Sequence, residues 1–208
     1  MKFDEYIKLA SVTCKPLPLP DHIVHMSMGL LGEIGELIDI QKKVCIYGKD
    51  LSDPAVLHAH RAHLTEEVGD TLWYFANLWS ALEIPGEAYD LVLDDIAMAA
   101  MPEATPLEVG LGLVGISTTV ANCVCELMPM SMAEDFPEFI SAAPAVLAPI
   151  GIALAAAARV LNVDVYDAMD KNIAKLKVRY GDKFSEHAAL NRDLGAERVV
   201  LEAPASAQ

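Results

Sequence analysis

The sequence predicts an all-α fold, a helical bundle, on three observations. Apolar residues recur at helical spacing, the Ala-, Leu-, Ile- and Met-rich stretches lack strand-like alternation, and Pro or Gly stands at the ends of the long periodic segments. The composition agrees: 53% of residues are hydrophobic but only 6% are aromatic. With 208 residues the chain can bury a sizeable core, or pack two halves together, without a disulfide or metal staple.

Taken in order, a short helix is expected over residues 3–12. Pro16-Leu17-Pro18-Leu19-Pro20 then reads as an extended connector, because proline lacks a backbone donor and restricts the residue before it. Asp21 is the expected N-cap of a helix reaching about Tyr47, with Ile23, Met26, Leu30, Leu37 and Ile40 at helical spacing and Gly48 as its stop. A polar loop with Asp50, Ser52 and Asp53 follows, and Pro54 suits the first turn of a second long helix to about Leu82. Pro85-Gly86 ends that stretch, a third helix covers about 87–100, and Pro102 and Pro106 bracket the next turn.

The second half echoes the first. Gly29-Leu30-Leu31-Gly32 returns as Gly112-Leu113-Val114-Gly115, and Leu82-Glu83-Ile84 with Tyr89-Asp90 returns loosely as Leu161-Asn162-Val163 with Tyr166-Asp167. A degenerate tandem repeat gives this pattern, and so does chance likeness between two Ala- and Leu-rich helix pairs.

Acidic residues outnumber basic ones 30 to 15, and a net charge of −15 repels the phosphate backbone of a nucleic acid polymer. A small phosphorylated ligand stays open, because cations held by clustered carboxylates invert the local field. Cys14, Cys45, Cys123 and Cys125 form no CxxC pair and read as reduced thiols of a cytoplasmic protein. Met1-Lys2-Phe3-Asp4-Glu5 places acids where a secretory signal would be apolar. Ala142–Ala158 comes nearest to a membrane span, but it is mostly Ala with two prolines and reads as a buried helix, so no membrane partner is expected.

The chemistry sits in two carboxylate pairs. Glu33 and Glu36 in Gly32-Glu33-Ile34-Gly35-Glu36-Leu37 are three residues apart, and so are Glu67 and Asp70 in Glu66-Glu67-Val68-Gly69-Asp70, which puts each pair on one helical face. Those faces also carry Leu30, Leu37 and Ile40, and Leu64, Tyr74 and Leu78, so the acids share the surface that should be buried. Gly32, Gly35 and Gly69 cost helix stability and are expected to mark close approach between helices. Like charges about 4 Å apart repel by roughly 4 kcal/mol per pair at an effective dielectric of 20, which calls for a cationic partner. Oxygen ligands without His or Cys suit Mg²⁺, or Mn²⁺ in its place. The bland alternative is a pair of solvated Glu-x-x-Glu faces.

His58, His60 and His63, with His22 and His25, read as surface or capping residues, since no Glu-x-x-His of a di-iron bundle is present. Trp73, Tyr74, Phe75 and Trp79 read mostly as core, with base stacking as their functional alternative.

These motifs resemble the MazG-like all-α nucleoside triphosphate pyrophosphohydrolase superfamily, which includes the dimeric dUTPases. Gly29-Leu-Leu-Gly-Glu-Ile-Gly-Glu-Leu looks like its first motif and Glu66-Glu-Val-Gly-Asp-Thr-Leu-Trp-Tyr-Phe like its second. The stretch from Lys171 to Phe184 is similar to the segment after its last core helix. The resemblance implies that Glu33, Glu36, Glu67 and Asp70 hold Mg²⁺, that Lys175 and Arg179 grip phosphate, and that Asn172 touches substrate. It implies hydrolysis of a (deoxy)nucleoside triphosphate to monophosphate and pyrophosphate by water attack at the α-phosphorus, in a homodimer.

Two departures qualify it. Gly32 stands where the family often has the first glutamate of a doublet, proposed to activate the water, so either water activated by the metal or Glu36 in a double role must serve. About 90 residues separate the second motif from Lys171, and the echoed half fills that gap. The expected organisation is one domain over 1–185, with a metal-bearing half at 21–100 and a degenerate half at 105–180, followed by a helix and frayed tail at 186–208. Against the enzyme stand a nucleotide- or metal-binding protein of the same fold without turnover, and an oxygen-activating carboxylate bundle.

Overall fold

The computed structural model describes residues 1–98, 104–131 and 136–203, with the backbone alone at 91, 95–98, 130, 131 and 136–140. Among the described residues there are nine helices and no strand, so the protein is all-α. They are α1 (Phe3–Val12), α2 (Leu19–Cys45), α3 (Pro54–Ala81), α4 (Glu87–Met98), α5 (Pro106–Ser131), α6 (Phe136–Val160), α7 (Val165–Tyr180), α8 (Glu186–Leu190) and α9 (Leu194–Glu202).

Four long helices close a ring: α2 packs on α3 and α5, and α6 packs on α5 and α3. Leu30, Ile34 and Leu37 of α2 meet Val68, Leu72 and Phe75 of α3, Leu113, Val120 and Val124 of α5, and Leu147, Ile150 and Leu154 of α6 in one core. α3 is also covered by α1, α7 and α9, so its buried residues run nearly all round it, polar ones included. That crowding on α3 is what gathers the candidate site.

Local chemistry accounts for most boundaries. Asp53 caps α3, accepting from the Ala55 and Val56 amides, while Pro54 occupies the first turn. Gly48, at φ +66°, turns the chain after α2, and the Lys49 amide donates back to the Lys43 carbonyl at 2.9 Å. α4 reaches Met98; residues 99 and 100 of the expected third helix, and Pro102, lie outside the described residues.

Several expectations need correction. α2 begins at Leu19, not after Asp21: Pro20 falls in its first turn, where a missing amide hydrogen costs nothing, and the extended connector stops at Pro18. Gly32 and Gly35 mark no close approach, since a Cβ on either would meet nothing within 4 Å. Gly69 does, against Ala168 and Asn172 of α7, and so does Gly29, under the ring of Tyr74. α7, at the end of the echoed stretch, packs with α3, α1, α8 and α9. The C-terminal stretch holds two helices, α8 and α9, and α9 buries Glu197 and Leu201 against the body.

Burial along α5 follows that along α2 at the shift of 83 set by the glycines. Leu113, Ile116, Thr119 and Val120 are buried, half-buried, exposed and buried, as are Leu30, Glu33, Glu36 and Leu37. Pro106–Pro129 and Ser141–Val160 are both long and apolar enough to cross a membrane, by length and composition only. Half of the Ser141–Val160 window is buried inside the molecule.

Candidate metal centre and cleft

Glu33 projects from α2 and Glu67 and Asp70 from α3, and one carboxylate oxygen of each lies within 4.8 Å of the others. Glu36 does not join them. A helix of 3.6 residues per turn rotates it about 60° from Glu33, and α2 is covered there on too narrow an arc, so Glu36 is exposed. Glu67 and Asp70 both stay with the group because α3 is flanked by α2 on one side and α7 on the other.

Each acid of α3 is braced. His63, one turn before Glu67, reaches its Oε1 from Nε2 at 3.1 Å. Asp70 receives the Lys175 ammonium at 2.6 and 2.5 Å and the Asn172 amide at 2.7 Å. Asn172 in turn accepts from the Tyr6 hydroxyl at 2.8 Å, and Lys175 also reaches Glu66 at 3.4 Å. Lys175 is fully buried and Asn172 nearly so. Both therefore stand behind Asp70, aiming it, and only Arg179 of the three expected substrate contacts lines the adjoining cleft.

The electrostatics follow from crowding. Burial first, then hydrogen bonding to Glu67 and the charge of Asp70, push the Glu33 carboxyl up to about 8. Burial also opposes the charge on Glu67, but hydrogen bonding to His63 and to Glu33, with the charge of Lys175, holds that carboxyl below its ordinary value. Burial, with Glu67 and Glu66 nearby, lifts Asp70 in spite of Lys175. Burial, with the charges of Glu33 and Asp70, pushes the Tyr74 hydroxyl up to about 12. Three carboxylates at this spacing repel by roughly 3 kcal/mol per pair at an effective dielectric of 20, which is why Glu33 resists ionising beside Glu67 and Asp70.

No family model, curated protein or solved structure matches this chain.

The cleft itself measures about 310 Å³, near the lower end for small-ligand sites. Glu33 and Asp70 form part of its wall, Lys15, Arg179 and Arg192 supply cations, and Trp73, Tyr74, Tyr180 and Phe184 supply ring faces and edges. Trp73 is oriented by donating to Thr13 Oγ1 at 3.1 Å, and Tyr180 and Phe184 pack at 5.6 Å. Phe75 and Trp79 belong instead to the core around Phe3 and Tyr89. Lys15 and Arg192 went unnoticed in the sequence because neither belongs to a helical period: Lys15 lies in the connector and Arg192 in the turn after α8, while His25, read as a surface or capping residue, also lines the cleft. His63 had a local signal, a histidine four residues before a buried glutamate.

The donor set fits a hard divalent cation. It is all oxygen, and through Glu33 and Asp70 it opens to a cleft where water or phosphate would complete the coordination. No His or Cys atom falls within the group, which suits Mg²⁺ or Mn²⁺ better than zinc.

Proposed function

We propose that this chain is a Mg²⁺-dependent nucleoside triphosphate pyrophosphohydrolase with a MazG-like bundle, the tandem half standing in for a partner helix pair. One observation carries the reading: Glu33, Glu67 and Asp70 converge within 4.8 Å, and Glu33 and Asp70 line a cleft that also presents arginines and aromatic rings. Anionic, metal-chelating and stackable describes a nucleotide.

When bound, Mg²⁺ would lower the pKa of the attacking water and neutralise charge building on the departing pyrophosphate. The protein's part is positioning. Glu67, held by His63, and Asp70, held by Lys175 and Asn172, present fixed oxygens without reorganising at the moment of reaction. Arg179, Lys15 and Arg192 balance phosphate charge across the cleft, and Tyr74 or Phe184 offers a surface to the base. Of the two sources of water activation, Glu36 stands outside the acid group, which favours the metal.

A homodimer belongs to this reading. α5 carries no charged residue between Glu108 and Glu126 and exposes Leu111 and Val114, and on a chain of net charge −15 an uncharged face is where two copies meet without repulsion. Light scattering reads this directly: twice the chain mass of 22.4 kDa supports it, and a single mass removes it.

The decisive assay incubates the purified chain with a panel of canonical and modified (deoxy)nucleoside triphosphates and Mg²⁺, and measures pyrophosphate. Release that vanishes in Glu67→Gln is the expected result. Nucleotide binding without release would favour the second reading, a binding protein lacking turnover, which Gly32 in the base position supports. Iron retained through purification would point to the oxygen-activating bundle instead.

A further inference from the structure

Glu197 is 2% exposed on α9, eighteen residues beyond Arg179, and no motif drew attention to it. Its two oxygens take the Arg179 guanidinium as a fork, Nε at 2.9 Å and Nη2 at 2.7 Å. The oxygen that accepts Nη2 also accepts Arg192 Nη2 at 2.8 Å. One buried carboxylate thus fixes two guanidiniums, and both arginines line the same cleft as Glu33 and Asp70.

The trio carries one net positive charge. The fork engages two of the five N–H donors of Arg179, and the contact to Arg192 engages one of its five, so each arginine keeps donors for another acceptor. Arg198, next to Glu197, reaches Glu66 at 3.7 Å and the Ala59 carbonyl at 3.4 Å, pinning α9 to α3. Across the cleft Lys15 pairs with Glu186 of α8 at 2.8 Å.

We propose that Glu197 is a positioning residue that sets Arg179 and Arg192 as a paired guanidinium subsite for the phosphate groups of the ligand, with Arg192 as a contact in its own right. The proposal rests on the nucleotide reading of the cleft. It assigns the division of labour within it: acids of α2 and α3 hold the cation, and the arginines set by α9 hold phosphate.

The test compares the full-length wild-type chain with Glu197→Gln, Glu197→Asp and Arg192→Ala. For the nucleotide that wild type hydrolyses best, Glu197→Gln and Arg192→Ala should raise KM about tenfold or more while kcat moves much less, because a ground-state grip on phosphate is lost. Mn²⁺ binding to the acids should be unchanged in both, and Glu197→Asp should recover part of the KM. Unaltered KM in both variants overturns the proposal. So does tighter binding in Glu197→Gln, which would make Glu197 a competitor of the ligand. Should Glu197→Gln fail to fold, Arg192→Ala, altered at a side chain 39% exposed, decides alone. If wild type releases no pyrophosphate, the hydrolase reading has failed, and the subsite is read by titrating inorganic tripolyphosphate without Mg²⁺. Binding lost in Arg192→Ala then supports the subsite, and no binding by wild type refutes it.

Discussion

A Cβ added at Gly69 would lie 2.9 Å from the Ala168 carbonyl oxygen and 3.0 Å from Asn172 Cβ, so α3 and α7 would have to separate where Asp70 meets Asn172 and Lys175. Gly69→Ala should cost about 1–3 kcal/mol in denaturant unfolding, as overpacking does. Gly32→Ala and Gly35→Ala meet open space in an exposed helix interior and should each stabilise by roughly 0.5–1 kcal/mol. In sequence the three glycines look alike; only the partner helix, about a hundred residues away, tells them apart. The same holds for the acids. Spacing put Glu33 and Glu36 on one side of α2 and Glu67 and Asp70 on one side of α3, which was legible. Which members survive in the group depends on how wide an arc each helix has covered, and α7, which covers Asp70, follows only after α5 and α6.

Elements carry their own accounts. α7 holds Asn172, Lys175 and Arg179, and its start depends on Asp164, whose side chain accepts from the Tyr166 and Asp167 amides. Asp164→Ala should cost about 1 kcal/mol in the same unfolding measurement, with both donors left unsatisfied. Such starts and stops were readable because Pro, Gly and Asp act locally: Asp53-Pro54 and Gly48 performed as their chemistry requires. The role of α9 was not readable in this way, since it lies in contacts to α7 and α3, far away in sequence. Burial opposes the charge of Glu197, yet Arg179 and Arg192 hold its carboxyl down to about 2 from an ordinary 4.5. A depressed acid stabilises the fold above its unfolded value and ceases to as pH falls through its folded one. Acid unfolding should therefore steepen between pH 4.5 and 2. Glu197→Gln should lose that slope in equilibrium unfolding followed by circular dichroism, and a slope that survives would show the ion pairs contribute nothing.

At the scale of the whole molecule, the bundle spends stability on its site. It holds three acids within 4.8 Å and buries the fully occluded cation Lys175 beside them, so an added divalent cation that binds the folded chain alone must stabilise it by mass action. At a hundredfold excess over Kd the gain is about 2.7 kcal/mol. For chains of 150–250 residues, 1 kcal/mol moves the midpoint by roughly 2–4 °C, so saturating Mg²⁺ or Mn²⁺ should raise Tm by roughly 5–10 °C. Na⁺ at equal ionic strength is the control, because screening relieves the −15 net charge without needing a site. Glu67→Gln should abolish the shift, while Glu36→Gln should keep it, since Glu36 lies outside the acid group. Equal loss in the two variants would return Glu36 to the ligand set that the motif implied, and an undiminished shift in Glu67→Gln would remove the metal centre altogether.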